Sequence, residues 1–254
     1  MTFSEQILYA ISKPRKYGEM IKLKKGRSKL YVLVICLVLG IITFAVPVGA
    51  LIASFGGFEK LFDKQLATLR YEDDQLKLDT KFSMKIEDAT ILINTDTASG
   101  KDETVKRDGM YLTVGSHRAV LLYTLSGKSY EYQSIALNTL LANGFNVSSL
   151  KNGIPFIYGY LVLMFVFTCA GFFVKYAICA LFLVLCIKKY IEMREIKMSF
   201  GQMFMLCFYG ESLGILISNC NAALGLLPQF IVSLVSVFIS VRMIASAVEK
   251  LDGV

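Results

Sequence analysis

Residues 30–55, LYVLVICLVLGIITFAVPVGALIASF, run for 26 residues without a charged side chain. A hydrocarbon layer about 30 Å deep is crossed by roughly 20 apolar residues at about 1.5 Å each, so this run suffices to span it. Three more apolar stretches follow, at 154–187, 200–218 and 227–248, whereas 58–152 is polar and nearly charge-balanced. The division predicts an α-helical integral membrane protein with four transmembrane helices and one extracytoplasmic, mainly antiparallel β domain. Its expected parts are a basic segment 1–29, a first span 30–57, the external domain 58–152 and a membrane domain 153–254 containing the loop 188–199.

Charge placement predicts the orientation. The chain carries +7 overall, and its first 29 residues hold eight cations (Lys13, Arg15, Lys16, Lys22, Lys24, Lys25, Arg27, Lys29) against Glu5 and Glu19. Loop 188–199 repeats the excess with Lys188, Lys189, Arg194 and Lys197 against Glu192 and Glu195. Short basic segments stay in the cytoplasm, which puts both of these inside and the block between them outside. Stretch 154–187 must then cross an odd number of times, and one long tilted helix is the economical solution. The last two spans form a hairpin with an outer turn at Ser218–Pro228, leaving both termini inside. Topology accounts for the positive charge, so nucleic acid is not an expected partner. Phe3, Ile7, Leu8 and Ile11 share one side of a short helix ahead of Pro14, the pattern of a helix lying on the inner leaflet. Its neighbouring cations are expected to contact anionic lipid headgroups.

The external block reads as strands. Leu76, Leu78, Phe82, Met84, Ile86, Ile91 and Ile93 fall largely at alternate positions. MYLTV, AVLLYTL and SYEYQSI are separated by Gly115-Ser116 and Ser126-Gly127-Lys128, which is hairpin chemistry. Asn94–Gly109 is too polar to bury and is expected to form a long loop or hairpin tip. Helical segments are expected at Phe58–Leu69 and Leu137–Leu150.

Catalytic constellations are not evident. His117, the only histidine, has Ser116 and Arg118 beside it but no assembled triad. Gly127-Lys128-Ser129 mimics the end of a phosphate loop, yet Leu122 stands where the first glycine belongs. Asp96, Asp102 and Asp108 recur every six residues, unlike a calcium loop. All six cysteines lie in or beside the apolar spans, and packing is their expected role. Neither a cofactor nor a metal is expected, and the chain is not read as an enzyme.

Within the membrane, Glu211 is the residue that demands explanation: a carboxyl there is expensive unless paired, protonated or facing a cavity. Arg242 is its expected partner, with Lys175 a second. Counted from the outer turn, Glu211 lies about 12 residues deep and Arg242 about 18, an offset of roughly 9 Å. Gly210 and Gly214 make a small-xxx-small pair for close helix packing, facing a fourth span that offers Ser233, Ser236 and Ser240.

Pro-Arg-Lys-Tyr at 14–17, the basic Lys24-Lys25-Gly26-Arg27, the strings LRYEDDQLKLDTKF and ATILINTDTAS, and the closing hairpin together resemble a family of uncharacterised membrane proteins. Those are bacterial, mostly Gram-positive, and are sometimes labelled maltodextrin utilisation proteins. The resemblance implies a bacterial plasma-membrane location and a role accessory to carbohydrate uptake, with a sugar-transport complex as partner. Many members carry a Pro in the third span, where this chain reads Phe208-Tyr209-Gly210-Glu211-Ser212, so no kink is implied there. Two functions are expected: an extracytoplasmic sensing or docking domain on a membrane anchor, or a small proton- or ion-coupled transporter using Glu211.

Overall fold

The computed structural model describes residues 1–23, 25–86, 89–101, 105 and 107–252, with the side chains of Lys25, Ala223 and Asp252 not described. Lys24 and Asp102 therefore lie outside the described residues. Two compact units emerge, one of Met1–Ala50 with Tyr160–Val254 and one of Leu51–Gly159. The second takes in the expected external block together with the end of one long helix and the start of another.

In the helical unit a short helix, α1 (Phe3–Ser12), is followed by a turn of 3-10 helix at Pro14–Lys16 and by α2 (Tyr17–Met20). Thr2 caps α1 through a reciprocal box with Glu5. Next come α3 (Lys25–Gly40), a π-helical turn at Ile41–Ala45 and α4 (Val46–Phe55). The wider turn sits just ahead of Pro47, whose ring clashes with the carbonyl four residues back in a regular helix. Stretch 154–187 is one helix, α7 (Ile154–Met193), and not a hairpin. Ser199 caps α8 (Phe200–Leu224), which continues unbroken through Phe208–Ser212 and ends on Gly225 in the left-handed region at φ 63°. A hairpin then leads into α9 (Gln229–Asp252). Gly26–Phe55, Ile154–Met193, Phe200–Ala222 and Gln229–Leu251 are each long and apolar enough to cross a membrane, the mark of a multi-pass membrane protein.

Among the described residues the other unit holds α5 (Phe58–Gln65), a two-stranded ribbon and a five-stranded sheet, closing with α6 (Val147–Asn152). The ribbon pairs β1 (Arg70–Glu72) with β2 (Gln75–Lys77) across Asp73-Asp74, both at positive φ. The sheet runs β3 (Phe82–Ile86), β4 (Ala89–Ile93), β5 (Gly109–Val114), β6 (Arg118–Leu125) and β7 (Lys128–Ala136), in that order. Ser126 (φ 51°) and Gly127 (φ 74°) make the two-residue turn expected between β6 and β7.

Local details differ in part from the expectation. Alternation over 76–93 belongs to three strands rather than one. The sheet is mainly antiparallel, as expected, with one parallel pair, β4 and β5. Of the two forms expected for Asn94–Gly109, the long loop fits and the hairpin tip does not: it joins parallel neighbours, which need a connection of a dozen or more residues. The return segment is helical only at Leu137–Thr139 and Val147–Asn152.

The crossover explains a close contact. A Cβ on Gly115 would meet the Ala98 carbonyl at 2.5 Å, and backbone cannot yield as a side-chain tip would. Gly115→Ala is predicted to destabilise the β-rich unit by about 1–3 kcal/mol, measured as faster proteolysis of that unit within the intact protein. Unchanged proteolysis would mean that the crossover does not lie against β5.

Candidate functional site

The site is built around α8. From Leu206 to Ser212 every residue is buried, two turns of helix with no open side. Of the four apolar helices α8 has the lowest mean hydropathy, 1.4 against 2.2 to 2.8, yet is the most enclosed, with 56% of its apolar window buried inside the protein. Polar side chains are tolerated here because they meet protein partners rather than lipid.

Those partners come first from the N-terminus. α1 buries Gln6 and Ala10, one turn apart, while Leu8 points outward at 54% exposure. Gln6 Nε2 donates to the Tyr209 hydroxyl at 2.9 Å, and that hydroxyl donates to Ser28 Oγ at 3.4 Å. Tyr17 donates to the Ala10 carbonyl at 2.6 Å. Burial pushes the Tyr17 phenol far above its ordinary pKa, so it remains a donor at every physiological pH. From α3, Tyr31 donates to Ser212 Oγ at 2.7 Å and sets its ring edge-on to Tyr209, centroids 4.9 Å apart. From α7, Tyr176 accepts from Asn219 Nδ2.

This corrects the expected role of the N-terminal helix. It has a protein partner: Gln6 and Ala10 are buried against the core that includes α8, Phe3 and Ile7 pack at its edge, and of the four expected lipid-facing residues, Phe3, Ile7, Leu8 and Ile11, Leu8 alone is exposed. Burying a glutamine in apolar surroundings is costly unless its amide is bonded; Tyr209 takes the bond of Gln6 Nε2, while Gln6 Oε1 is buried without a partner. The cations Lys13, Arg15, Lys16, Lys22, Arg27 and Lys29 all stay exposed. The pattern was present as Ser28 with Tyr31 and Tyr209 with Ser212, polar pairs three residues apart on one helix face.

Gly210 and Gly214 of α8 face α9. A Cβ on Gly210 would collide with Ile244, and one on Gly214 would lie 2.6 Å from the Ser236 carbonyl and 2.8 Å from Ser240 Oγ. Glu211 is 5% exposed and its Oε1 is buried without a hydrogen-bond partner. Arg242 is not that partner. Glu211 lies 13 residues before Leu224, where α8 ends, and Arg242 13 residues after Gln229, where α9 begins, so the two are level rather than offset. What separates them is the helix face: Ser240 and Ile244 look toward α8, and a residue two positions from either points to the far side. Arg242 is exposed there. Lys175 is also exposed, its ammonium 5.4 Å from the centre of the Tyr176 ring. No ion pair reaches Glu211 among the described residues. Its electrostatic neighbours are Tyr176, Cys179 and Cys207.

Elsewhere, His117 is an exposed hairpin residue whose Nδ1 lies 2.9 Å from Ser116 Oγ. Among the described residues no three His, Cys, Asp or Glu side chains gather as a metal site, and the cysteines are unbridged.

These features define a class: a multi-pass helical protein with a β-rich unit between its first two apolar helices and a polar cluster around the third. The chain belongs to the family described as "Protein of unknown function (DUF1189)", whose model matches residues 5–247. That span takes in α1 from Glu5 onward, so Gln6 and Ala10 fall within the matched region. No curated protein and no solved structure matches the chain.

A double-mutant cycle probes the cluster. Gln6→Ala and Tyr209→Phe are predicted to couple by about 1 kcal/mol in unfolding titrations of the detergent-solubilised protein. Strictly additive losses would mean that α1 does not engage α8.

Proposed function

We propose that this is a non-enzymatic, multi-pass protein of the bacterial plasma membrane, with both termini cytoplasmic and the β-rich unit outside. That unit docks a polypeptide partner, such as a sugar-transport complex, in a role accessory to maltodextrin uptake. The orientation rests on the basic segments at 1–29 and 188–199, and the exposed N-terminal cations contact anionic headgroups. The carbohydrate association comes from the resemblance of the sequence to proteins labelled for maltodextrin utilisation.

The observation that carries the docking reading is a half-covered sheet. One face presents Phe82, Ile93, Val114 and Ala119 across neighbouring strands at one end, where they pack on the core that includes Leu61 and Phe62 of α5. At the other end the same face presents Ile86, Met110, Tyr123 and Tyr130 in one cross-strand row, with Leu112 and Leu125 beside it, all exposed. Contiguous exposed apolar surface of this kind marks an interaction site. It runs to β7, an edge strand with Tyr132 83% exposed, whose outer backbone groups are open to strand addition.

A photocrosslinking residue at Tyr130 in living cells is expected to trap one discrete envelope protein, and Tyr123→Asp to abolish the adduct. Adducts to lipid alone, or none, would contradict docking. Cysteines at Ser126 and at Leu226 in the outer turn are expected to react with an impermeant maleimide in intact cells, and those at Ser12 and Ser199 to react only after lysis. Asn221 is a poor reporter because it is buried and bonded to the Leu227 carbonyl. Labelling at Ser199 without lysis would reverse the orientation.

A second reading has one specific observation in its favour. A purely structural tie at Glu211 calls for hydrogen bonds or an ion pair, and Oε1 has neither. Under a proton- or ion-relay function, Glu211→Gln abolishes flux in proteoliposomes while leaving the unfolding midpoint unchanged. Absence of flux in the parent protein would remove that reading.

A further inference from the structure

The helical unit contains a second feature outside the polar cluster. α3 and α7 touch at Gly40, where a Cβ would meet Cys169 Sγ at 2.5 Å and Phe165 at 3.1 Å. Beside this contact a groove of about 1210 Å³ opens between α3, α7 and the start of α8. Its wall is apolar, and Leu33, Leu37, Val166 and Phe173 line it while remaining exposed. At the α8 end the character changes: Lys29, Ser28, Ser199 and Gln202 lie along the same groove.

We infer that this groove binds one anionic phospholipid, its acyl chain along α3 and α7 and its phosphate against Lys29 and the start of α8. Charge and shape both select this occupant. Lys29 is exposed, and among the described residues no carboxylate pairs with it. Ser199 already accepts the Gln202 N–H at the start of α8, so the helix contributes its dipole at the same end, and Gly201 has open space where a side chain would stand. A cation beside a helix N-terminus favours an anion. A soluble anion leaves the long apolar wall uncovered, and a zwitterionic lipid brings its own cation to Lys29. The inference rests on the membrane reading of the four apolar helices, and it is independent of partner docking and of Glu211.

The test uses the full chain, extracted from membranes in mild detergent, with phosphatidylglycerol and phosphatidylcholine of matched acyl chains followed by native mass spectrometry. One phosphatidylglycerol is expected to remain per chain in preference to phosphatidylcholine. Lys29→Gln should reduce that preference about fivefold, the loss of one basic contact near a charged surface, and Lys29→Arg should restore it. Ala170→Trp, at an exposed position of the groove, should expel both lipids without altering the unfolding midpoint. Equal retention of the two lipids, or a preference unaffected by Lys29→Gln, overturns the proposal. So does a lipid-free dimer that Ala170→Trp dissociates, which would make a second copy the occupant. A protein that does not extract with the membrane fraction at all would instead refute the membrane reading itself.

Discussion

Everything in the helical unit depends on how α8 satisfies its polar groups. In apolar surroundings a hydroxyl or amide without a partner costs several kcal/mol, and α8 brings Tyr209, Glu211, Ser212 and Asn219 into such surroundings at once. Three of the four are met from different directions: Tyr209 by α1 and Ser28, Ser212 by Tyr31, Asn219 by Tyr176. Together these bonds tie α1, α3 and α7 to α8. The glycine face closes the remaining side against α9, where no side chain has room. Glu211 Oε1 is left without a bond, as are Gln6 Oε1 and Ser236 Oγ nearby, but Glu211 is the ionisable group among them, which is why it stands out as a functional candidate.

Hydropathy and length made the four apolar helices legible, because a span is a one-dimensional property of the chain. The hairpins at Gly115-Ser116 and Ser126-Gly127 were legible for a similar reason: turn chemistry is local. The parallel pairing of β4 with β5 was not, since nothing in either strand records which neighbour lies beside it. The long polar crossover was the available clue, and it reads equally well as a loop.

The polar site divides along the same line. Gly210 and Gly214 were readable from spacing alone, as small residues one turn apart. Glu211 was readable as an anomaly, but its partner was not. Depth along the helix suggested Arg242, whereas the face of the helix decides contact, and Arg242 sits two residues from the packed Ser240. The N-terminal helix misled for a related reason. Phe3, Ile7 and Leu8 give it an apolar side, but Gln6 has a specific partner 203 residues away, and such long-range pairing leaves no periodic signature. The groove beside Lys29 was equally invisible, being assembled from three separate segments.

The central claim is that the N-terminal segment is a packing element of the membrane unit, closing the polar cluster of α8, rather than a peripheral helix resting in lipid. Photocrosslinking from Ile7, which is half-buried at the edge of the core formed with α8 and α9, tests this in native membranes. Adducts mapped by mass spectrometry to peptides of α8 or α9 are the predicted result. Adducts to lipid alone would contradict it.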